Sequence, residues 1–392
     1  MLRWIVRLLA LAAVLGIAGV LLLGPGMVEK GQNHVTPHEP WPVSEGARAM
    51  HERLIIGDWH ADSLLWGRDL TKRSTRGQMD LPRLIDGNVA VQVFTTVTKS
   101  PSGLNYDKNS ATSRDDITLL SIVQMRPYRS WFNLTERALV QAAALQKAAD
   151  RAPDMLRIIR NRSDLAALLA AREGGAKTIG GILGAEGGHA LSGDLANLDR
   201  LYDAGFRLMG LTHFFDNELG ASLHGEAGSD SGLTDFGQAV VQRMVEKHMI
   251  IDLAHASPQV VRDTLAMVDV PVVVSHTGIY SQCQHHRNIP DDLIKTIADR
   301  GGMIGIGFWD EVTCDATPKG IAASIVAAIR LAGEDHVALG SDFDGAVETT
   351  FDVSELPALT QALIDAGLDE PVIAKVMGSN MVRFLGQALP EN

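Results

Sequence analysis

The residues able to do chemistry fall in six short clusters. They are Asp58-Trp59-His60-Ala61-Asp62, Ala185-Glu186-Gly187-Gly188-His189, Thr212-His213, Asp252-Leu253-Ala254-His255, Ser275-His276 and Ser341-Asp342-Phe343-Asp344. Imidazole and carboxylate are the groups that zinc and similar divalent ions select. His60 and Asp62 alternate by two, so both can face one side of an extended strand end. Glu186 is followed by two glycines, which let the backbone turn sharply beside a crowded centre. With His255 and His276 there are ligands for two ions. Two ions bridged by a carboxylate and a solvent molecule lie ~3.5–4 Å apart, and the bridging solvent loses its proton near neutral pH and becomes a nucleophile. Any one of these histidines alone is more simply a hydrogen-bonded structural residue. Five metal-type residues at the ends of separate apolar runs are hard to explain as packing.

Those runs are the elements that must position them. Short apolar, β-prone stretches alternate with longer helical patterns from about residue 50, which points to βαβ units and a parallel sheet. Eight strands are expected, over Leu54–Asp58, Val89–Thr96, Thr178–Ala185, Arg207–Thr212, Ile250–Ala254, Val270–Ser275, Gly302–Gly307 and Val337–Ser341. Six of them end in His, Asp or Glu. In a TIM-type (β/α)₈ barrel the C-terminal strand ends converge on one rim, where active sites sit; an open doubly wound sheet is the alternative. Thr234 or Asp235 can N-cap a helix running through Phe236–Lys247, and Pro290-Asp291-Asp292 opens another. The long stretch Tyr106–Arg172 between strands two and three reads as a helical insertion, with patterns at 119–131, 135–149 and 163–171. His34, His38 and His51 precede the barrel and read as solvated. His189, His224, His285 and His286 read as loop residues near the rim rather than ligands.

Composition sets the frame. The 392 residues are 46% hydrophobic and 21% charged, enough for one large folded domain. The formal charge of −12, from 47 acidic and 35 basic residues, disfavours nucleic acid as a partner. Two cysteines, Cys283 and Cys314, form no CxxC, and nothing in the sequence places them together, so whether they pair stays open. Arg3 and Arg7 precede an uncharged run from Leu8 to Val28, long enough to cross a hydrocarbon core at ~1.5 Å per residue. Positive charge at its start keeps that end in the cytoplasm and sends the rest outside. The expected organisation is a membrane anchor over 1–28, with a cleaved signal peptide as the rival reading. A Pro-containing polar stalk over 29–45 and a barrel over 46–392 follow.

Taken together and in order, His60-Ala-Asp62, Glu186-Gly-Gly-His-Ala, Leu211-Thr-His213, Gly232-Leu-Thr-Asp-Phe-Gly237, Ile251-Asp-Leu-Ala-His255, Ser275-His276, Arg287-Asn-Ile-Pro-Asp291 and Gly340-Ser-Asp342-Phe-Asp-Gly345 resemble the membrane (renal) dipeptidases, peptidase family M19 of the amidohydrolase superfamily. The resemblance spans about residues 50–385. It implies a zinc-dependent dipeptidase with two Zn²⁺ ions, or another divalent metal, per subunit. His60 and Asp62 would hold one ion and His255 and His276 the other, with Glu186 between them. His213 would bind substrate and polarise the scissile carbonyl, and Arg287 would clamp the dipeptide carboxylate. Asp342, chosen over Asp344 because it lies nearer the strand, would receive the proton from the bridging water and pass it to the leaving amine. Dipeptides are implied as substrates, with a D-residue tolerated at the C-terminal position, and a homodimer as the assembly. The opening departs from the family's Asp-Gly-His-Asn-Asp, which bears on specificity. Animal members carry a C-terminal lipid anchor; an N-terminal one implies a bacterial protein with its catalytic domain in the periplasm or exterior. The alternatives are a metal-dependent N-acyl-amino-acid deacylase or lactonase on the same scaffold, and an inactive surface binding protein. No lysine accompanies His213 at the end of strand four, unlike the amidohydrolases that bridge their ions with a lysine there.

Overall fold

Parallel pairing runs through every strand. The computed structural model describes residues 2–391. Its strands are β1 (Ile56–Asp58), β2 (Val89–Val97), β3 (Leu156–Ile158), β4 (Ile179–Glu186), β5 (Phe206–Gly210), β6 (Ile250–Asp252), β7 (Val273–Thr277), β8 (Met303–Ile306) and β9 (Val337–Leu339). The order is β2-β1-β9-β8-β7-β6-β5-β4, and β2 pairs with β4 from Val91↔Gly180 to Val97↔Glu186, closing an eight-stranded barrel. The eight barrel strands are buried on both faces, which is why they read as continuous apolar runs rather than alternating ones.

Two apolar layers hold the barrel. Inside, Val91, Ile182, Leu208, Ile250, Val273 and Met303 pack with Met381, Phe384 and Leu385 of the C-terminal helix Asn380–Ala388. Trp59 meets Phe384 edge to face at 5.4 Å. Outside, the opposite strand faces pack against the amphipathic helices, such as Asp235–Glu246 with Val240, Val241 and Met244 buried. Thr234 is that helix's N-cap, its hydroxyl accepting from Gly237 N at 3.0 Å.

Several expectations shift. The strand expected over Val270–Ser275 begins at Val273, after Pro271, which has no N–H to donate to a ladder. Strand β3 was not anticipated; its three residues pair only with the start of β4. The insertion is built from Asp116–Val123, a 3₁₀ turn at Tyr128–Ser130, and Leu134–Arg151. Cys283 and Cys314 form a disulfide, with Cα atoms 5.5 Å apart.

The N-terminal helix spans Leu2–Gln32 and is long and apolar enough to cross a membrane. The segment that follows lies against the barrel: Thr36 N donates to Thr349 O at 2.8 Å, and Trp41 Nε1 to Thr350 O at 3.2 Å. His51 is buried rather than solvated, bonded to Thr360 Oγ1 and Gly87 O at 2.8 and 3.0 Å.

Candidate metal centre and substrate pocket

The C-terminal strand ends bring the expected residues to one point. His60 and Asp62 follow β1, Glu186 ends β4, His213 follows β5, His255 follows β6, His276 lies in β7, and Asp342 follows β9. Arg287 arrives on the loop after β7. None of the eight exposes more than 6% of its surface. Glu186 is the hub. Its Oε1 lies 3.4 Å from His60 Nε2, 3.2 Å from His255 Nε2 and 3.5 Å from His276 Nε2; its Oε2 lies 3.3 Å from His213 Nε2. Asp62 and Asp342 approach His60 Nε2 at 3.6 and 3.8 Å. Three sets of donor atoms are close enough to share an ion: His60–Glu186–His276, Glu186–His213–His255 and His60–Asp62–Asp342. These sets cut across the expected division into His60/Asp62 and His255/His276, because His213 and Asp342 stand as near as the others.

Backbone geometry makes this convergence feasible. Gly187 has φ +97°, and a Cβ there would sit 2.4 Å from the His189 ring, so the turn after Glu186 requires glycine. His255 and Asp342 adopt left-handed conformations, φ 62° and 61°, without being glycine. Such strain costs of order 1–3 kcal/mol per residue and persists only where surrounding structure over-determines it.

The residues outside the expected list explain the orientation of those within it. Asp252, at the end of β6, accepts from Ser275 Oγ at 2.6 Å and from Ser275 N at 2.9 Å. With its proton given to Asp252, the Ser275 hydroxyl is an acceptor for His276 Nδ1 at 2.8 Å and His60 Nδ1 at 3.1 Å. One hydroxyl thereby orients two imidazoles, with the Nε2 of each turned toward Glu186. Asp58 does related work across β1 and β9, accepting from Ser341 Oγ at 2.6 Å and Gln92 Nε2 at 2.9 Å. The carboxylate–serine pairing was visible in the sequence only as two polar strand ends.

Electrostatics test whether a cation fits. Burial first, then the Arg287 charge, push His255 well below the ordinary imidazole range; burial, then His60 and Arg287, do the same to His276. Both rings are neutral, and their Nε2 atoms face each other at 2.9 Å. Burial opposes the charged form of His60, yet Glu186 and Asp62 outweigh it and hold its pKa well above the usual range. Burial would raise Glu186 too, but His213 and His60 keep it well below the carboxylate range. Burial, with Asp62 and Glu186 beside it, lifts Asp342 well above that range, against His60 and Arg287. Three buried carboxylates and four buried imidazoles crowd one space, with the Arg287 guanidinium beside them. Divalent cations suit that donor set.

A cavity of about 440 Å³ opens over the cluster. Glu186, Asp62, His213, His255, Arg287 and Asp342 line its base, and Leu65, Trp66, Val97, Ile117, Leu120 and Val347 its walls. Mixed apolar walls with a few converging polar groups suit a small ligand. Arg287 Nη2 donates to His276 O at 2.9 Å, while Nε has no protein partner although buried. Asp344 is turned away, paired with Arg68 and accepting from Gln78 N at 2.6 Å. His189 and His224 are buried beside the site. Tyr106 and Trp309 also line the pocket, the indole N–H donating to the phenol oxygen at 3.1 Å. Sequence reasoning missed both, since neither sits in a periodic or strand-end pattern.

The model of the membrane dipeptidase family, peptidase family M19, matches residues 44–390. The chain belongs to that family. A dipeptidase of Aspergillus oryzae, aclJ, is 28% identical over 358 residues, covering 85% of this chain and 78% of that protein. Dipeptidase tcpJ of Claviceps purpurea is 28% identical over 316 residues, covering 79% and 69%. Among solved structures, the M19 metallopeptidase dipeptidase AC superposes with a TM-score of 0.67 at 25% identity, covering 86% of this chain and 99% of that one. A metallopeptidase of Rhodobacter sphaeroides, bound to a phosphinate mimic of L-Ala-D-Ala, shares the fold with a TM-score of 0.68 at 24% identity, again covering 86% and 99%. This family member is a metal-dependent hydrolase acting on dipeptides.

Proposed function

We propose that the chain is a zinc dipeptidase with two Zn²⁺ ions per subunit, cleaving free dipeptides and accepting a D-residue at the C-terminal position. The observation that carries this reading is the pairing, in one cavity, of the Glu186-centred ligand cluster with a buried guanidinium whose Nε lacks a protein partner. The stereochemical preference draws on the ligand of the Rhodobacter sphaeroides neighbour. His60, Asp62, His255 and His276, with Glu186 between them, would hold the metal. Divalent ions there supply positive charge that acidifies water and polarises a carbonyl.

The chain's own residues do the rest. Arg287 receives the C-terminal carboxylate through its planar fork, which fixes the length of substrate that fits. His213, 3.3 Å from Glu186, lies where its Nε2 can hold the scissile carbonyl oxygen as charge develops on it. Asp342, whose Oδ1 lies 3.8 Å from His60 Nε2, takes a proton from the attacking water and passes it to the leaving amine. The N-terminal helix is an uncleaved anchor in this reading, with the catalytic domain outside the cytoplasm, where the Cys283–Cys314 disulfide persists. A homodimer is the expected assembly.

The test is a panel of L-L and L-D dipeptides beside the same dipeptides N-acetylated, assayed with the full-length chain in detergent. Cleavage of the free dipeptides supports the proposal. Turnover confined to the blocked compounds transfers the assignment to an N-acyl-amino-acid deacylase.

A further inference from the structure

We propose that the catalytic pocket opens into the headgroup layer of a lipid bilayer, held there by the N-terminal helix and by a second membrane contact on segment 104–132. The inference concerns placement and does not depend on which amide the site cleaves.

The helix is fastened to the catalytic rim. Glu29, near its C-terminal end, is buried, with its carboxylate 2.5 Å from Arg68 Nε and 3.3 Å from Arg76 Nε. Arg68 also pairs with Asp344, two residues from Asp342. Asn33 Oδ1 accepts from Ala346 N at 2.8 Å in the same loop. Gly26 lies so close to the Arg76 guanidinium that a Cβ there would overlap it. Val28 and Gln32 themselves form part of the pocket wall, together with Asp62, Arg287 and Asp342.

The level of the membrane follows from the length of the apolar run. Crossing a ~30 Å hydrocarbon core takes ~20 helical residues. Counted from Arg3 or from Arg7, those residues end at Leu23 or Met27. The exit from hydrocarbon thus falls about 1.5–7.5 Å along the helix before Val28. The headgroup layer is about 5–7 Å deep on each side, so Val28 and the pocket mouth lie within or beside it.

The neighbouring surface is built for the same environment. Outside the N-terminal helix, the exposed large hydrophobics among the described residues are Leu104, Leu119, Met125, Tyr128, Phe132, Val270 and Tyr280. Five of these seven fall in 104–132. Helix Asp116–Val123 packs beside the N-terminal helix. Its Ile117 and Leu120 line the pocket while Leu119 is 59% exposed. Tyr128 and Phe132, 73% and 70% exposed, cluster with Trp131. Aromatic side chains of this kind concentrate at membrane interfaces. An apolar patch continuous with a membrane-crossing helix is covered by the same bilayer, and substrates with access to the mouth reach it along the membrane surface.

The experiment uses the full-length chain in nanodiscs of phosphatidylethanolamine and phosphatidylglycerol. An environment-sensitive fluorophore is attached at Phe132→Cys, and in separate samples at Leu119→Cys and Val270→Cys. The native cysteines are joined and do not react. Val270 precedes β7 on the opposite face of the barrel, and all three positions are exposed, so the substitutions leave the core intact. With lipids carrying a nitroxide at carbon 5, the probes at 132 and 119 should lose at least half their emission and the probe at 270 almost none. Equal, weak quenching at all three positions overturns the proposal. A mature N-terminus beyond Val28 also overturns it. None of these readouts involves turnover, so a failed dipeptidase assay leaves the result standing.

Discussion

Replacing Arg287 with Met should remove the enzyme's preference for a free C-terminal carboxylate. The guanidinium is buried, and one of its nitrogens is committed to His276 O at 2.9 Å, while Nε has no protein partner. A substrate carboxylate received there gains up to two charge-assisted hydrogen bonds, each worth about 1.5–3 kcal/mol. The sum of about 3–6 kcal/mol corresponds to a factor of about 10²–10⁴ at ~1.4 kcal/mol per tenfold. The assay is kcat/KM for one dipeptide and for its C-terminal amide, in wild type and in Arg287→Met. Wild type should favour the acid by about two to four orders of magnitude, and the variant by less than tenfold. The amide's own kcat/KM should change little, which separates lost recognition from a damaged centre. Met preserves most of the side-chain volume, and metal content measured on the same variant shows whether the centre is intact. A variant that keeps the full preference for the acid would refute the assignment of Arg287 as the clamp.

Ser275→Ala should weaken metal binding by about 10–100-fold, because one hydroxyl orients both His60 and His276; competition with a chelator measures this, and unchanged affinity would remove the orienting role. Replacing Cys283 and Cys314 with Ser opens a loop of 31 residues and should cost about 3–4 kcal/mol of stability by the chain-entropy relation. Since Cys283 lies four residues before Arg287, KM should rise in the same variant, and denaturant melts with steady-state kinetics test both effects. His51 titrates as a stability term: burial, its main influence, lowers its pKa in the folded chain. Below about pH 6.5 the unfolded chain therefore binds a proton that the folded one does not. Stability should fall as pH drops through that value, and less so in His51→Gln, as followed by melting temperature between pH 7.5 and 5.

Much of the site was legible because of how a barrel is built. Each candidate site residue named here follows a buried apolar run, so His60, Glu186, His213, His255, His276 and Asp342 could be read as strand ends without knowing any contact. The barrel itself was legible for the same reason: strands buried on both faces announce themselves by composition. What stayed hidden was held by non-local polar pairs. Glu29 begins a stretch that reads as a polar stalk, yet it pairs with Arg68 and Arg76, some forty residues on, and lies buried. His51 looked solvated for lack of an apolar neighbourhood in sequence, although Thr360 and Gly87 enclose it. The Asp252–Ser275 bond joins consecutive strand ends whose register no periodicity sets. Strand β3 is three residues long with Arg157 exposed, too short for any alternation to register. The disulfide needed the path of two loops, after β7 and after β8, to bring its cysteines together.

The central claim is that Glu186 joins two metal ions into one dipeptide-cleaving centre. Its most direct test is metal content measured alongside dipeptide turnover on the same full-length preparation, in wild type and in Glu186→Ala. Close to two metal ions per chain, with turnover lost on chelation and restored by zinc, and both metal and activity lost in the variant, is the predicted result. A wild-type protein that binds no metal after added zinc, or that cleaves dipeptides equally well without it, would contradict the account.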